Sequence, residues 1–258
     1  MQRRSKDLYE VNVGVYCFRT KVLFKALDKV KPDNKKGEYY LTDTISILAD
    51  EGLKVGSMPT RDHDEFLGIN SRIDMVKAQD IIRFRIMERL MSQGVTIVDP
   101  TTTYIENDVK IGPDTIIYPM TVIEHDVTIG KGCEVGPFAR IRPGTKLKSN
   151  AHIGNFVEVV RSKVGEGSKA KHLTYLGDVT IGRKVNIGAG TIVANYDGKN
   201  KNKTQVKDRA FIGSGTILIA PVKIGKDAIT GAGAVVTRNR NVPDKTVVVG
   251  VPARVLKK

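Results

Sequence analysis

The chain has 258 residues, enough for a substantial core and two domains. Its 42 Lys and Arg against 28 Asp and Glu give a formal charge of +14, which favours anionic partners by concentrating phosphorylated ligands near the surface. That charge does not point to nucleic acid: aromatic residues make up only 6%, Trp is absent, and the basic residues are dispersed in short runs such as Lys35-Lys36 and Lys257-Lys258.

Residues 1–70 mix short β-like runs with one helical segment. The spacing of Ile73, Val76, Ile81, Ile86 and Leu90 predicts a connecting helix over 71–93, with Ser71 as N-cap, Asp74 in the first turn and Gly94 as the stop. No apolar run approaches the ~18–20 residues that an integral membrane segment needs, and no apolar stretch follows the charged residues 1–10 as in a secretory signal. A cytoplasmic protein is expected. Cys17 and Cys133 fall in different predicted domains, so a disulfide framework is not expected, and Cys133 reads as a small buried residue.

From residue 94 the pattern changes. Ile105, Ile111, Ile117, Ile123, Ile129, Val135, Ile141, Leu147, Ile153 and Val159 place an aliphatic residue at every sixth position, several followed by Gly. That period suits one short strand and a turn, repeated so that the aliphatic side chains stack along an axis. The expected fold is a parallel β-helix over 94–258, with three faces to each coil. One-residue slips lead to Val164, Ala170 and Leu176, then to Ile181, Ile187 and Val193, and mark loops or corners. Phase is lost from Asn195 to Ala210 and returns at Ile212, Leu218, Ile224, Thr230 and Val236, so the polar stretch between should protrude. A protruding loop either binds a ligand or is a tolerated insertion.

Flat faces stack on copies of themselves, which predicts oligomers and a cleft suited to an elongated ligand with anionic ends. The densest polar chemistry, Lys169-Ala-Lys-His-Leu-Thr-Tyr-Leu-Gly-Asp178, interrupts the aliphatic phase there. His63, His125 and His152 read as surface or corner residues. His152 and His172 could supply two ligands to an interface zinc, but no close-spaced ligand pair supports that site.

Beyond the repeat stand the segments His172-Leu-Thr-Tyr-Leu-Gly-Asp178, Asn186-Ile-Gly-Ala-Gly-Thr191, Asn195-Tyr-Asp-Gly-Lys-Asn-Lys-Asn-Lys-Thr204, Gly136-Pro-Phe-Ala-Arg-Ile-Arg-Pro-Gly144 and Gly154-Asn-Phe-Val-Glu158, of which the His-Leu-Thr-Tyr and Asn-Tyr-Asp-Gly runs are far more specific than the repeat. With them the chain closely resembles, over nearly its whole length, the bifunctional N-acetylglucosamine-1-phosphate uridyltransferase/glucosamine-1-phosphate acetyltransferases. The resemblance implies a left-handed β-helix homotrimer that moves acetyl from acetyl-CoA to the amine of glucosamine 1-phosphate in clefts between subunits. It implies His172 as general base, which suits the chemistry: an ammonium cannot attack a thioester, and an imidazole of ordinary pKa near ~6.5 can take the amine proton at neutral pH. By the same resemblance Arg142, Tyr175, Asn186 and Lys201 hold the sugar phosphate. Ala189, Asn195, Tyr196, Ser214 and Ala232 line acetyl-CoA. Ser214 could polarise the thioester or be an ordinary turn Ser between glycines.

The opening segment resembles only the C-terminal part of an α/β uridyltransferase domain, through Glu10-Val-Asn-Val-Gly14, Gly37-Glu-Tyr-Tyr-Leu-Thr-Asp43 and Gly68-Ile-Asn-Ser-Arg72. Asn12 and Asn70 align with sugar-nucleotide and magnesium positions, Asn70 serving magnesium only if the missing half is supplied. Without the Gly-rich loop and the magnesium Asp, uridyl transfer by this chain is not expected, and such a remnant should expose apolar sheet edges. A second departure is Val160, where the family usually has a Lys for the sugar phosphate. Arg161 and Lys163 lie close by, though neighbours on a strand point to opposite faces. Arg254, Lys257 and Lys258 could meet CoA phosphates or be solvated. Two other readings stand: a hexapeptide acetyltransferase for another amino sugar, and a non-catalytic trimerising module of a sugar-1-phosphate nucleotidyltransferase.

Overall fold

A computed structural model describes residues 11–60 and 62–256; Lys257 and Lys258 lie outside them. The chain divides into two compact units, Met1–Ala78 and Gln79–Lys258.

The first unit contains helices α1 (Thr20–Leu27) and α2 (Asp43–Asp50) and a 3-10 turn at His63–Phe66. Two helices thus replace the single helical segment expected, and among the described residues this unit has no strand. The β-like runs lack a paired neighbour, without which an extended segment gains no ladder hydrogen bonds. The apolar surface it shows is therefore not a sheet edge but scattered side chains such as Phe24, Tyr39 and Met58. Its small core is Ala26, Val30, Thr44 and Leu48, and Lys29 pairs with Glu51.

The boundary between the units falls inside α3 (Arg72–Ser92). Ser71 Oγ accepts from the Asp74 amide at 3.2 Å, and Asp74 Oδ2 accepts from the Ser71 amide at 3.0 Å, which together satisfy two of the helix's free donors. Ile86, Met87 and Leu90 of α3 join the core of the second unit.

That second unit is a left-handed parallel β-helix. Each coil lays down three short strands, and the sixth-position aliphatics point inward: Ile117, Ile123, Ile141, Leu176, Ile212, Leu218 and Ile224 are fully buried. Corner residues such as Asp114, Met120 and Asp126 take left-handed φ of 61°, 58° and 52° to turn the chain between faces. Cys133 lies above Thr115 in the stack: its amide donates to Thr115 Oγ1 at 3.1 Å and its Sγ lies 3.2 Å from the Lys148 carbonyl. Burial raises its thiol pKa, as befits a packed rather than reactive group.

Register shows what the slips are. Successive coils pair residues 18 apart, as Thr128 with Lys146, but Lys146 pairs Lys163 and Lys163 pairs Thr180, 17 apart. The shortened corners are at Arg161 and Asp178, with φ of 45° and 51°. The next coil is 25 residues long, Thr180 pairing Gln205. Phase therefore returns with the strand Thr204–Val206 and buried Val206, one face earlier than the expected Ile212, and continues past Val236 to Val242 and Val248. The expected excursion through Ala210 is shorter, residues 195–203. The reason is that Thr204–Val206 pairs as a strand while offering only one inward aliphatic to the sequence pattern.

Candidate functional site

Two corners of the β-helix bring together the groups singled out by sequence. At the first, the strands His152–Val160 and Lys169–Gly177 each run through the bend, pairing Asn155 with His172. His172 is exposed and its Nδ1 lies 2.8 Å from Asn155 Oδ1. A carboxamide oxygen only accepts, so in this contact Nδ1 is the donor, and in the neutral ring Nε2 is then the nitrogen that can take a proton. The same corner continues upward. The Gly190 amide donates to the Leu173 carbonyl, the Gly215 amide to Ala189 and the Gly233 amide to Ser214, which places His172, Ala189, Ser214 and Ala232 in one column. Three coil steps at ~4.8 Å make that column about 14 Å long. Ser214 and Ala232 are exposed and Ala189 half-buried, so a thin chain could lie along it.

On the face that follows, Tyr175 pairs with Glu158 of the coil before and Ile192 of the coil after. Arg142 Nη1 donates to Glu158 Oε1 at 2.6 Å, and this hydrogen bond raises the guanidinium pKa further. Arg142 Nε is buried with no hydrogen-bond partner. Val160 occupies the outward position in register with Arg142 and Gly177, and is buried. Asn186 stands on the preceding face, between Lys169 and Phe211, rather than in this group.

The second corner carries the insertion. Asn195 is buried, and its Nδ2 donates to Asp178 Oδ2. Arg161 forks onto the same carboxylate at 2.7 and 2.8 Å. Arg161 first, with help from Asn195 and Lys201, holds the Asp178 pKa below the usual carboxylate range. A Cβ on Gly177 would lie 2.6 Å from Asn195 Nδ2 and 2.7 Å from Tyr175 Oη, so the two side chains meet over a position that only Gly leaves open. Tyr196 and Lys201 form an antiparallel bridge across the loop and are both exposed. Sequence reasoning passed over Arg161 and Asp178 as a pair. The signal was there, since both sit at the one-residue slips.

Asp197 organises the tip. It accepts from the Asn200 amide at 2.7 Å, the Lys199 amide at 3.0 Å and Asn202 Nδ2 at 2.9 Å, which lower its pKa from 3.8 to about 2. A carboxyl whose folded pKa is depressed adds stability above its unfolded value and loses it as pH falls through the folded one. The loop should therefore stay ordered at pH 4 and open as pH falls through about 2. Amide exchange at Lys199 and Asn200 reads this directly; protection that persists at pH 1 would refute it.

The remaining candidates lie apart from these groups. His152 Nδ1 is 3.4 Å from Glu134, His125 Nδ1 is 3.5 Å from Glu106, and His63 is exposed on the 3-10 turn. In the first unit, Asn12 Oδ1 accepts from the Gly14 amide at 3.0 Å, and the Asn70 amide donates to Asp74. Among the described residues no three His, Cys, Asp or Glu converge as metal ligands, and the carboxamides of Asn12 and Asn70 alone do not make a magnesium site. Among them, too, no helix is long and apolar enough to cross a membrane.

The coil stack with small residues along one corner defines the class. Residues 108–143, 126–161 and 203–238 match the family described as bacterial transferase hexapeptide (six repeats). A solved UDP-N-acetylglucosamine acyltransferase shares the fold at 16% identity and TM-score 0.50, over 62% of this chain and 68% of that one. More particularly, the chain is similar to the bifunctional protein GlmU and corresponds to its C-terminal part. It is 42% identical to that of Carboxydothermus hydrogenoformans, over 95% of this chain and 62% of the relative. It is 45% identical to that of Thermosipho africanus, over 96% and 61%. The chain thus spans about three fifths of the length of these relatives.

Proposed function

We propose that this protein is a cytoplasmic homotrimer that transfers the acetyl group of acetyl-CoA to the amine of glucosamine 1-phosphate. The observation that carries this reading is the single corner column running from His172 through Ala189 and Ser214 to Ala232. The pantetheine arm would lie along the small residues, bringing the thioester to the imidazole. The sugar amine attacks the thioester carbonyl, the N–C bond forms as the C–S bond breaks, the amine proton passes to His172 Nε2, and sulfur leaves as thiolate to be protonated to free CoA. Arg142, whose side chain is partly exposed beside Glu158, would offer the phosphate its guanidinium together with Tyr175 and Lys201, and Asn186, on the preceding face, would join the sugar-phosphate set from a neighbouring protomer of the trimer. Asn195 and Tyr196 serve acetyl-CoA from the insertion.

Val160 supports a second reading. It sets an apolar side chain beside Arg142, which lowers the positive charge available to a phosphate and suits a different amino sugar. The deciding experiment follows free-thiol release from acetyl-CoA with glucosamine 1-phosphate and, in parallel, with other amino sugars. Release dependent on glucosamine 1-phosphate supports the first reading. Release with another acceptor alone supports the second, and a trimer that binds no acetyl-CoA would leave only a structural module.

A further inference from the structure

A loop that leaves a β-helix at one corner should be its least ordered part, since residues 195–203 have no coil above or below to pair with along their length. Yet this one is tied at both ends. At its root the Asn195 side chain is buried and bonded to Asp178, itself gripped by Arg161 from the coil before. The Asn202 amide closes the loop on the Asn195 carbonyl at 2.6 Å. At its tip Asp197 meets Arg238 at 3.4 Å, and Arg238 stands on a later turn of the same corner. The corner thus reads Arg161, Asp178, Asn195, Asp197, Arg238, a ladder with one arginine–carboxylate pair on each side of the insertion.

We propose that this ladder is a clamp, and that Asp178 is the positioning residue that fixes where the insertion presents Lys201. The assignment rests on the sugar-phosphate role given to Lys201 above. Arg161 is then not a stand-in for the Lys absent at Val160: both arms of its guanidinium are committed to Asp178. Its charge offsets that of Asp178, so Lys201, which makes no ion pair within 4.0 Å among the described residues and feels Asp178 only as a minor attraction, presents its ammonium to an anionic ligand. Asp178 touches no substrate on this view and acts only through Asn195.

Two variants of the full chain test it, Asp178→Asn and, on the exposed side, Arg238→Gln. Trypsin reads the insertion at Lys199, Lys201 and Lys203. Loss of a charged hydrogen bond is expected to speed cleavage there about 10-fold in Asp178→Asn and less in Arg238→Gln. The unfolding midpoint should stay within about 3 °C of the parent. In the thiol-release assay Asp178→Asn should raise KM for glucosamine 1-phosphate about 10-fold with kcat changed less than about 3-fold. Unchanged cleavage in both variants overturns the clamp. So does a fall in KM, which would mean that Asp178 merely neutralises Lys201. If the parent chain does not acetylate glucosamine 1-phosphate, the proposed function fails while the cleavage rates still decide the clamp.

Discussion

His172→Ala should reduce acetyl transfer by about 10²–10⁴-fold, the usual contribution of a positioned general base, and leave thermal unfolding unchanged. The second half follows from exposure: His172 lies at the surface, and among the described residues the one hydrogen bond of its ring is to Asn155. The first half follows from the reaction, because an amine that keeps its proton has no lone pair to attack with. The Asn155 contact adds a graded test. Without an oxygen at 2.8 Å from Nδ1, the imidazole can take either tautomer and rotate, so Asn155→Ala should lose about 10-fold, in kcat rather than KM. The assay is steady-state thiol release at saturating acetyl-CoA. A His172→Ala chain retaining more than a tenth of the parental rate would mean that another group, or water, takes the proton.

The β-helix was legible because its period is enforced by geometry. An aliphatic residue every sixth position has one packing solution when faces must close on a shared axis, and the buried series Ile105 to Val159 follows it without a break. The slips were legible too, as shortened corners at Arg161 and Asp178. What periodicity could not give was the return of phase at Val206, since a strand that pairs through its backbone needs little from its side chains. In the first unit, α1 and α2 are each only eight residues long, too short for a periodic signal to separate helix from β-like run. At the site, sequence named His172 and the small residues Ala189, Ser214 and Ala232 through resemblance alone. Their alignment in one column depends on coils of 17, 25 and 18 residues, which no local pattern encodes. The Arg161–Asp178 pair was legible only as two slipped corners, because the two residues become neighbours only once the coil closes.

Gly154→Ala should damage stability and activity together, and the size of both effects is set by one contact. A Cβ at position 154 would lie 2.0 Å from the Lys171 carbonyl oxygen and 2.7 Å from its carbon, inside any tolerable approach. The obstacle is backbone of the next coil, not a side chain that can swing away. Coils near ~4.8 Å apart must therefore separate locally by about 1 Å, stretching the ladder between the strands His152–Val160 and Lys169–Gly177. Overpacking of this kind costs about 1–3 kcal/mol, or a fall of roughly 2–12 °C in unfolding temperature for a chain of this size. Gly154 precedes Asn155 and Lys171 precedes His172, so the same displacement opens the Nδ1 contact that orients the base. Misplacing a catalytic group by 1 Å can cost about 10²-fold, and a loss of that order is expected even at temperatures where the variant is folded. Gly56→Ala is the comparison, since nothing lies within 4 Å of its added Cβ and its φ is outside the left-handed region; it should change stability by less than about 0.5 kcal/mol. Calorimetry and thiol release on both variants separate a general intolerance of alanine from the close approach of coils. Parental behaviour from Gly154→Ala would mean that the coils bearing Asn155 and His172 are not held in this register.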